Sequence, residues 1–121
     1  MMPSSPTLFS FSSPSSPRAQ FELSTERDGD RLVVHLHGAL DAAMAPLARA
    51  TFGEIEPGRY RQIELDASAL DIIDSVGVGL IVSLYKRARL THTPVVITGL
   101  RHQPHAILKL LRLDRLFVPA A

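Results

Sequence analysis

The chain has 121 residues, 13 Lys+Arg against 12 Asp+Glu, and a formal net charge of +1; the length fits one domain, and the balance excludes a protein that coats nucleic acid with a basic stripe. Cysteine is absent, which excludes a disulfide scaffold and a thiolate zinc site. Hydrophobic residues make up 45% of the chain, enough for a packed core, yet no apolar run reaches the roughly 20 residues that cross a bilayer.

Residues 1–20 hold seven Ser, four Pro and one charged side chain, Arg18. Such a segment reads as a disordered, proline-stiffened tail. It has no basic start, and Leu8, Phe9 and Phe11 are too few for the apolar stretch of a signal peptide. The expected location is therefore the cytoplasm. Residues 21–121 keep 12 basic and 12 acidic side chains. They are expected to fold alone as one neutral domain that buries about 60–70% of its unfolded surface.

Phe21 to Thr25 predicts a short strand, and Asp28-Gly29-Asp30 a hairpin turn. Arg31 to Gly38 alternates, with Leu32, Val34 and Leu36 on one face and Val33, His35 and His37 on the other, as a strand with one strongly apolar side. A loop from Gly38 to Met44 carries Asp41. Pro46 suits the first turn of a helix, expected over Ala45–Glu54 and ended by Pro57-Gly58. Gln62 to Asp66 predicts a strand with Ile63 and Leu65 inward, and Ile72-Ile73 a short apolar piece leading to Asp74-Ser75. Val76 to Leu90 is the strongest helix. Leu80, Ile81, Leu84 and Ala88 form its buried stripe, and Lys86, Arg87 and Arg89 suit its C-terminal dipole. Pro94 to Thr98 predicts a β-branched strand. Pro104 opens a last helix, with Ile107, Leu108 and Leu111 inward and Leu110 beside them. Leu116 to Val118 is a terminal apolar strip, taken as a final strand. The order β-β-α-β-α-β-α-β needs crossover connections and hence a mostly parallel sheet.

The stretch from Asp66 to Gly79 carries the chemistry. Ser75 lies where an extended segment becomes a helix, the position of an N-cap. Gly77 and Gly79 strip the first helical turn of side chains, at about 1 kcal/mol each relative to alanine. Two accounts fit: close helix–sheet packing, or a partner that approaches the backbone. A phosphate on Ser75 would meet the unpaired N–H groups and positive end of the helix, but also the carboxylate of Asp74 and, through the preceding loop, that of Asp41. Other motifs are incomplete. Gly77-Val78-Gly79 lacks the third glycine of a dinucleotide loop. A nucleophile elbow at Ser75 would need glycine where Ile73 stands. His35 with His37, and His102 with His105, lack a third ligand, so structural histidines and no metal are expected. His92 stands alone in a loop.

In this stretch the chain resembles the STAS domain family and, more narrowly, the single-domain anti-sigma-factor antagonists of bacteria. The resemblance rests on Asp66, Ser68 and Leu70, then on Ile73, Asp74, Ser75, Gly77, Val78 and Gly79. Gly38-Ala39-Leu40-Asp41, Pro104 and Leu116-Phe117 match further family positions. Residues 21–118 are covered. The resemblance implies the STAS fold over residues 21–121: a mixed, mostly parallel sheet with an antiparallel N-terminal strand and helices mainly on one face.

The resemblance also implies a function. Ser75 would be the phosphoacceptor of a GHKL-type serine kinase that doubles as the anti-sigma factor and supplies its own ATP and Mg²⁺. The unphosphorylated domain would bind that kinase and release its target. A metal-dependent Ser/Thr phosphatase would reset it. Asp41, Asp74, Ser75, Val76, Gly77, Val78 and Gly79 would form the partner surface. The antagonist itself would be no enzyme, carry no cofactor, bind no nucleic acid, insert into no membrane, and exist as a monomer or weak dimer. Two positions depart from the family. Val76 stands where a second Ser or Thr is common, and Met44 where Ser or Thr often caps the first helix. Two other functions compete. One is an accessory STAS subunit docked on the ATPase of an ABC transporter, as in phospholipid transport. The other is a sensor whose glycine-rich turn holds a nucleotide or lipid; no aromatic residue lies near that turn in sequence to stack on a base.

Overall fold

A computed structural model describes residues 21–117. The expectations for residues 1–20 and for Val118 lie outside the described residues. Gly29 takes φ +65°, the left-handed region a tight hairpin requires, and joins β1 (Phe21–Asp28) to β2 (Arg31–Leu40). The two strands pair antiparallel along their whole length, from Phe21 opposite Gly38 to Asp28 opposite Arg31. Both outrun their predicted ends, and β2 carries the chain through Ala39 and Leu40, which are buried.

Helix α1 spans Ala45–Glu54 and buries Ala45, Ala48 and Phe52. The helix ends before Pro57, because Ile55 is already extended and buried; Pro57 instead opens a short 3-10 turn, Pro57–Arg59. Strand β3 (Gln62–Ile73) lies parallel to β2, and β4 (Val95–Thr98) lies parallel to β3, in the order β1-β2-β3-β4. Sequence reading divided β3 into Gln62–Asp66 and Ile72-Ile73. The structure joins them, because shifts of register between His35 and His37 and between Gly38 and Ala39 absorb the extra residues of β3 without ending the ladder.

Helix α2 spans Ser75–Arg89 and buries Gly77, Val78, Leu80, Ile81, Leu84 and Ala88. Leu90, expected inside it, is the exposed residue that ends it. Arg87 does more than balance the dipole: its guanidinium reaches α1, donating to Phe52 O at 3.0 Å and to Ile55 O. It thereby adds a second donor to Phe52 O, which already accepts from Ile55 N, and supplies one to Ile55 O beyond the end of α1.

Helix α3 (His102–Leu110) buries Pro104 and Leu108, with Ile107 half-buried. Leu110 is 76% exposed and Leu111 47%, contrary to the expected inward stripe. The helix stops at Leu110 and the chain turns at Arg112 (φ +60°), so the helical period no longer carries these leucines to the core. In place of the expected final strand, Asp114–Phe117 forms a 3-10 turn. Phe117 is buried with its ring edge-to-face on Tyr85, centroids 5.3 Å apart, while Leu116 stays exposed.

One hydrophobic core joins Leu32, Val34 and Leu36 of β2, Ile63 and Leu65 of β3, Val95 and Ile97 of β4, and the inner faces of all three helices. The helices therefore cover one side of the sheet. The other side mixes polar and apolar side chains. There Glu64 stands in register between the buried Val33 and Val96, and its carboxylate accepts from Arg31 at 2.9 Å and from Thr98 at 2.7 Å.

Candidate functional site

Strands β2 and β3 end side by side, Leu40 opposite Ile73, and each then turns into a helix. Beyond Leu40 the chain makes a turn in which the Met44 N–H donates to Asp41 O and to Asp41 Oδ1, each at 3.1 Å. Met44 precedes α1 with no side-chain cap. Asp41 thus orders the entry to α1 where Met44 has no hydroxyl to offer.

Beyond Ile73, Asp74 remains extended (φ −112°, ψ −174°) and caps α2: Oδ1 accepts from Gly77 N at 3.0 Å. The sequence expectation gave this role to Ser75. Aspartate and serine cap about equally well, and the helix begins one residue earlier than expected. The second oxygen of Asp74 accepts from Ala42 N at 3.0 Å, and the Asp74 N–H donates to Leu40 O at 3.3 Å. Asp74 therefore fastens the Asp41–Ala42 turn against the start of α2. The N–H of Gly77, helped by those of Ala42 and Val76, holds the Asp74 carboxyl below its ordinary 3.8, so it is charged at neutral pH.

Ser75 is the first residue of α2 and is exposed. Val76, beside it, is 37% exposed. The glycines differ. A Cβ on Gly77 would lie 2.4 Å from Leu40 O and 2.8 Å from Ile73 Cγ1, so this glycine serves the contact between α2 and the strand ends. A Cβ on Gly79 would meet nothing within 4 Å, and Gly79 is exposed; packing does not account for it. Val78, 6% exposed, points into the core with Ile81. Of the seven residues expected at a partner surface, Ser75, Val76 and Gly79 are exposed, Asp41 and Asp74 half-buried, and Gly77 and Val78 interior.

Asp66 and Ser68 have a local structural role. Asp66 Oδ1 accepts from Ser68 N at 3.0 Å, and Oδ2 lies 2.8 Å from His35 Nδ1. His35 Nε2 lies 2.9 Å from Glu26 Oε1. The imidazole thus bridges β1 and β3 across β2, beside the shift in register. Its bonds to Glu26 and then Asp66 raise its pKa above 6.5. Burial alone would raise the pKa of Asp66, but the bonds from Ser68 and His35 prevail and lower it.

Sequence reasoning missed Gln103. Its side-chain carbonyl accepts from Ile73 N at 2.9 Å and its NH₂ donates to Ile73 O at 2.8 Å. The two residues are 30 positions apart, and no local pattern announces the pairing. A separate surface groove of about 940 Å³ is lined by Arg31, Gln62, Arg89, His92 and Val95 among others. It lies where β2, β3 and β4 begin, at the opposite end of the sheet from Ser75.

The description of the family whose model matches residues 23–119 is "Mlab, STAS domain". Among solved structures, the chain is similar to an anti-sigma factor antagonist from Mycobacterium paratuberculosis (23% identity, TM-score 0.70, covering 91% of this chain and 92% of that one). It is also similar to the Bacillus cell fate determinant SpoIIAA in its phosphorylated form (20% identity, TM-score 0.63, covering 84% and 91%). A sulfate transporter family protein from Wolinella succinogenes shares the fold at 12% identity (TM-score 0.62, covering 73% and 71%). At these identities the solved structures speak for the fold, and the family model for membership: with a mixed four-stranded sheet covered on one face by three helices, and Asp74-Ser75-Val76-Gly77-Val78-Gly79 at the step from β3 to α2, the chain belongs to the STAS domain family.

Proposed function

We propose that the chain is an anti-sigma-factor antagonist that works by partner switching, with Ser75 as its phosphoacceptor. The observation that carries this reading is the exposure of Ser75 at the first position of α2, beside a capping aspartate that is itself held by two backbone N–H groups. A serine there is open to a kinase, and its phosphate would be supported by the positive end of the helix. The new charge, about −1.5 to −2 at pH 7, would stand next to the Asp74 carboxylate. It would therefore alter the surface presented to a partner more than it would alter the fold.

The partner in this reading is a GHKL-type serine kinase that is also the anti-sigma factor. It approaches Ser75, Val76 and Gly79, with Asp41 and Asp74 at the margin. The open space over Gly79 lets a partner lie close to the first turn of α2. A metal-dependent Ser/Thr phosphatase returns the domain to its binding form, and the antagonist itself catalyses nothing. The test is capture of the kinase by wild type, Ser75→Ala and Ser75→Asp, with mass spectrometry of Ser75 after incubation with kinase and ATP. Phosphate at another residue, or equal capture by all three, contradicts the reading.

A second reading is the accessory subunit on an ABC transporter ATPase. The family model's description, which names Mlab, and the structural likeness to a sulfate transporter family protein favour keeping it. It requires no modification of Ser75, and capture of such an ATPase independent of Ser75 substitutions would establish it. The ligand-sensor reading draws no support from the groove, which lies away from the glycine-rich turn.

A further inference from the structure

Strand β4 ends at Thr98, opposite Asp66. Beyond that point β3 continues to Ile73 with, among the described residues, no strand on its β4 side. In a parallel ladder the N–H and C=O of one residue point to the same neighbour, and those of the next residue to the other side. Asp74 N–H turns to β2, where Leu40 O accepts it. The N–H and C=O of Ile73 turn the other way. Both are taken by the primary amide of Gln103, at 2.9 and 2.8 Å. The amide has the donor and acceptor of a peptide group, so Gln103 acts as a one-residue substitute for the missing strand.

We propose that Gln103 is a positioning residue for Ser75. Gln103 holds Ile73, Leu40 holds Asp74, and Ser75 is the next residue along. The serine therefore leaves a backbone clamped from both sides. One of the clamps belongs to α3, whose other anchors are Pro104 and Leu108 in the core. The path from β4 to α3 is also fixed: Gly99, at φ +74°, passes so close to β3 that a Cβ would lie 2.8 Å from Ser68 Cα. The geometry of the phosphoacceptor turn is thus set in part by a helix more than twenty residues further along the chain. The proposal rests on the reading of Ser75 as phosphoacceptor, but its test does not need a partner.

The test is amide hydrogen exchange and ¹⁵N chemical shifts on the full chain. It compares wild type with Gln103→Met, which keeps the length and loses the amide, and with Gln103→Glu. Gln103→Met is expected to speed exchange at Ile73 about fivefold to tenfold, the scale of one net hydrogen bond. It should also shift the Ser75, Val76 and Gly77 resonances. Gln103→Glu should keep exchange at Ile73 close to wild type at pH 7, because its carboxylate still accepts from Ile73 N, but it loses the donation to Ile73 O and should shift the Ser75, Val76 and Gly77 resonances. It should recover wild-type shifts as the new carboxyl protonates, because a carboxylic acid both donates and accepts. A merely structural loss of packing would show no such recovery. Effects confined to Ile73, or no recovery in acid, would overturn the proposal. Failure of wild type to become phosphorylated would instead overturn the functional reading and leave the exchange result standing.

Discussion

The N–H of Ala42 donates to Asp74 Oδ2 at 3.0 Å across 32 residues of sequence, while Oδ1 of the same side chain caps α2 through Gly77. One carboxylate thereby joins the turn after β2 to the helix that begins with Ser75. Asp74→Ala should remove both bonds. Loss of a cap costs about 1–2 kcal/mol, and in a domain of this size each kcal/mol moves the melting temperature by about 4–8 °C. Thermal melts followed by circular dichroism check this; an unchanged melting temperature would mean that the two bonds add nothing. Because the folded pKa of Asp74 lies below 3.8, its contribution is present above that value and is lost as pH falls through the folded value. At still lower pH, wild type and Asp74→Ala should converge.

The two glycines of the turn should answer oppositely to alanine. Gly77→Ala drives a methyl group against Leu40 O, a backbone atom that cannot rotate away; overpacking of this kind costs about 1–3 kcal/mol. Gly79→Ala enters open space within a helix and should stabilise by about 0.5–1 kcal/mol. Urea denaturation distinguishes them. If Gly79→Ala also weakens capture of the kinase, the glycine is kept for the partner at the expense of stability.

His35 between Glu26 and Asp66 should make stability depend on pH near neutrality. Its folded pKa is raised above 6.5, so the protonated form is favoured by folding. The resulting stability is fully present below 6.5 and is lost as pH rises through the folded value. His35 is about two-fifths exposed, and solvent screening keeps the effect small. The advantage of wild type over His35→Gln in urea midpoint should therefore be largest at about pH 5–6 and shrink on the alkaline side. A difference that is constant, or that grows with pH, would show that the imidazole acts as a neutral hydrogen-bonding group only.

Much of this fold was legible because its signals are local. The start of α1 follows from Pro46, which suits the first turn of a helix. The hairpin follows from Gly29. The break placed inside β3 has a local counterpart in the structure: the Asp66 carboxylate bonds to Ser68 N, two residues on, but the neighbouring strand keeps the ladder intact. The final strip failed as a strand because one buried ring, Phe117, satisfies its apolar demand without pairing. At the site, the position of Ser75 was legible from the order of residues. The choice of Asp74 as cap, the inward turn of Val78 and the bond from Gln103 were not. Each depends on which atoms the ends of β2 and α3 bring to that corner.

The central claim is that phosphorylation of Ser75 decides partner binding while leaving the fold intact. Isothermal titration of the cognate kinase against wild type, Ser75→Ala, Ser75→Asp and the phosphorylated domain tests it most directly, with a melting curve for each form. An unpaired charge buried at an interface costs about 2–5 kcal/mol, or roughly 30-fold to several-thousand-fold in affinity. The phosphorylated domain should weaken by that factor, Ser75→Asp should weaken in the same direction, and Ser75→Ala should bind like wild type, all with native melting transitions. Equal affinities for all four forms would contradict the switch and favour a subunit that docks without regard to Ser75.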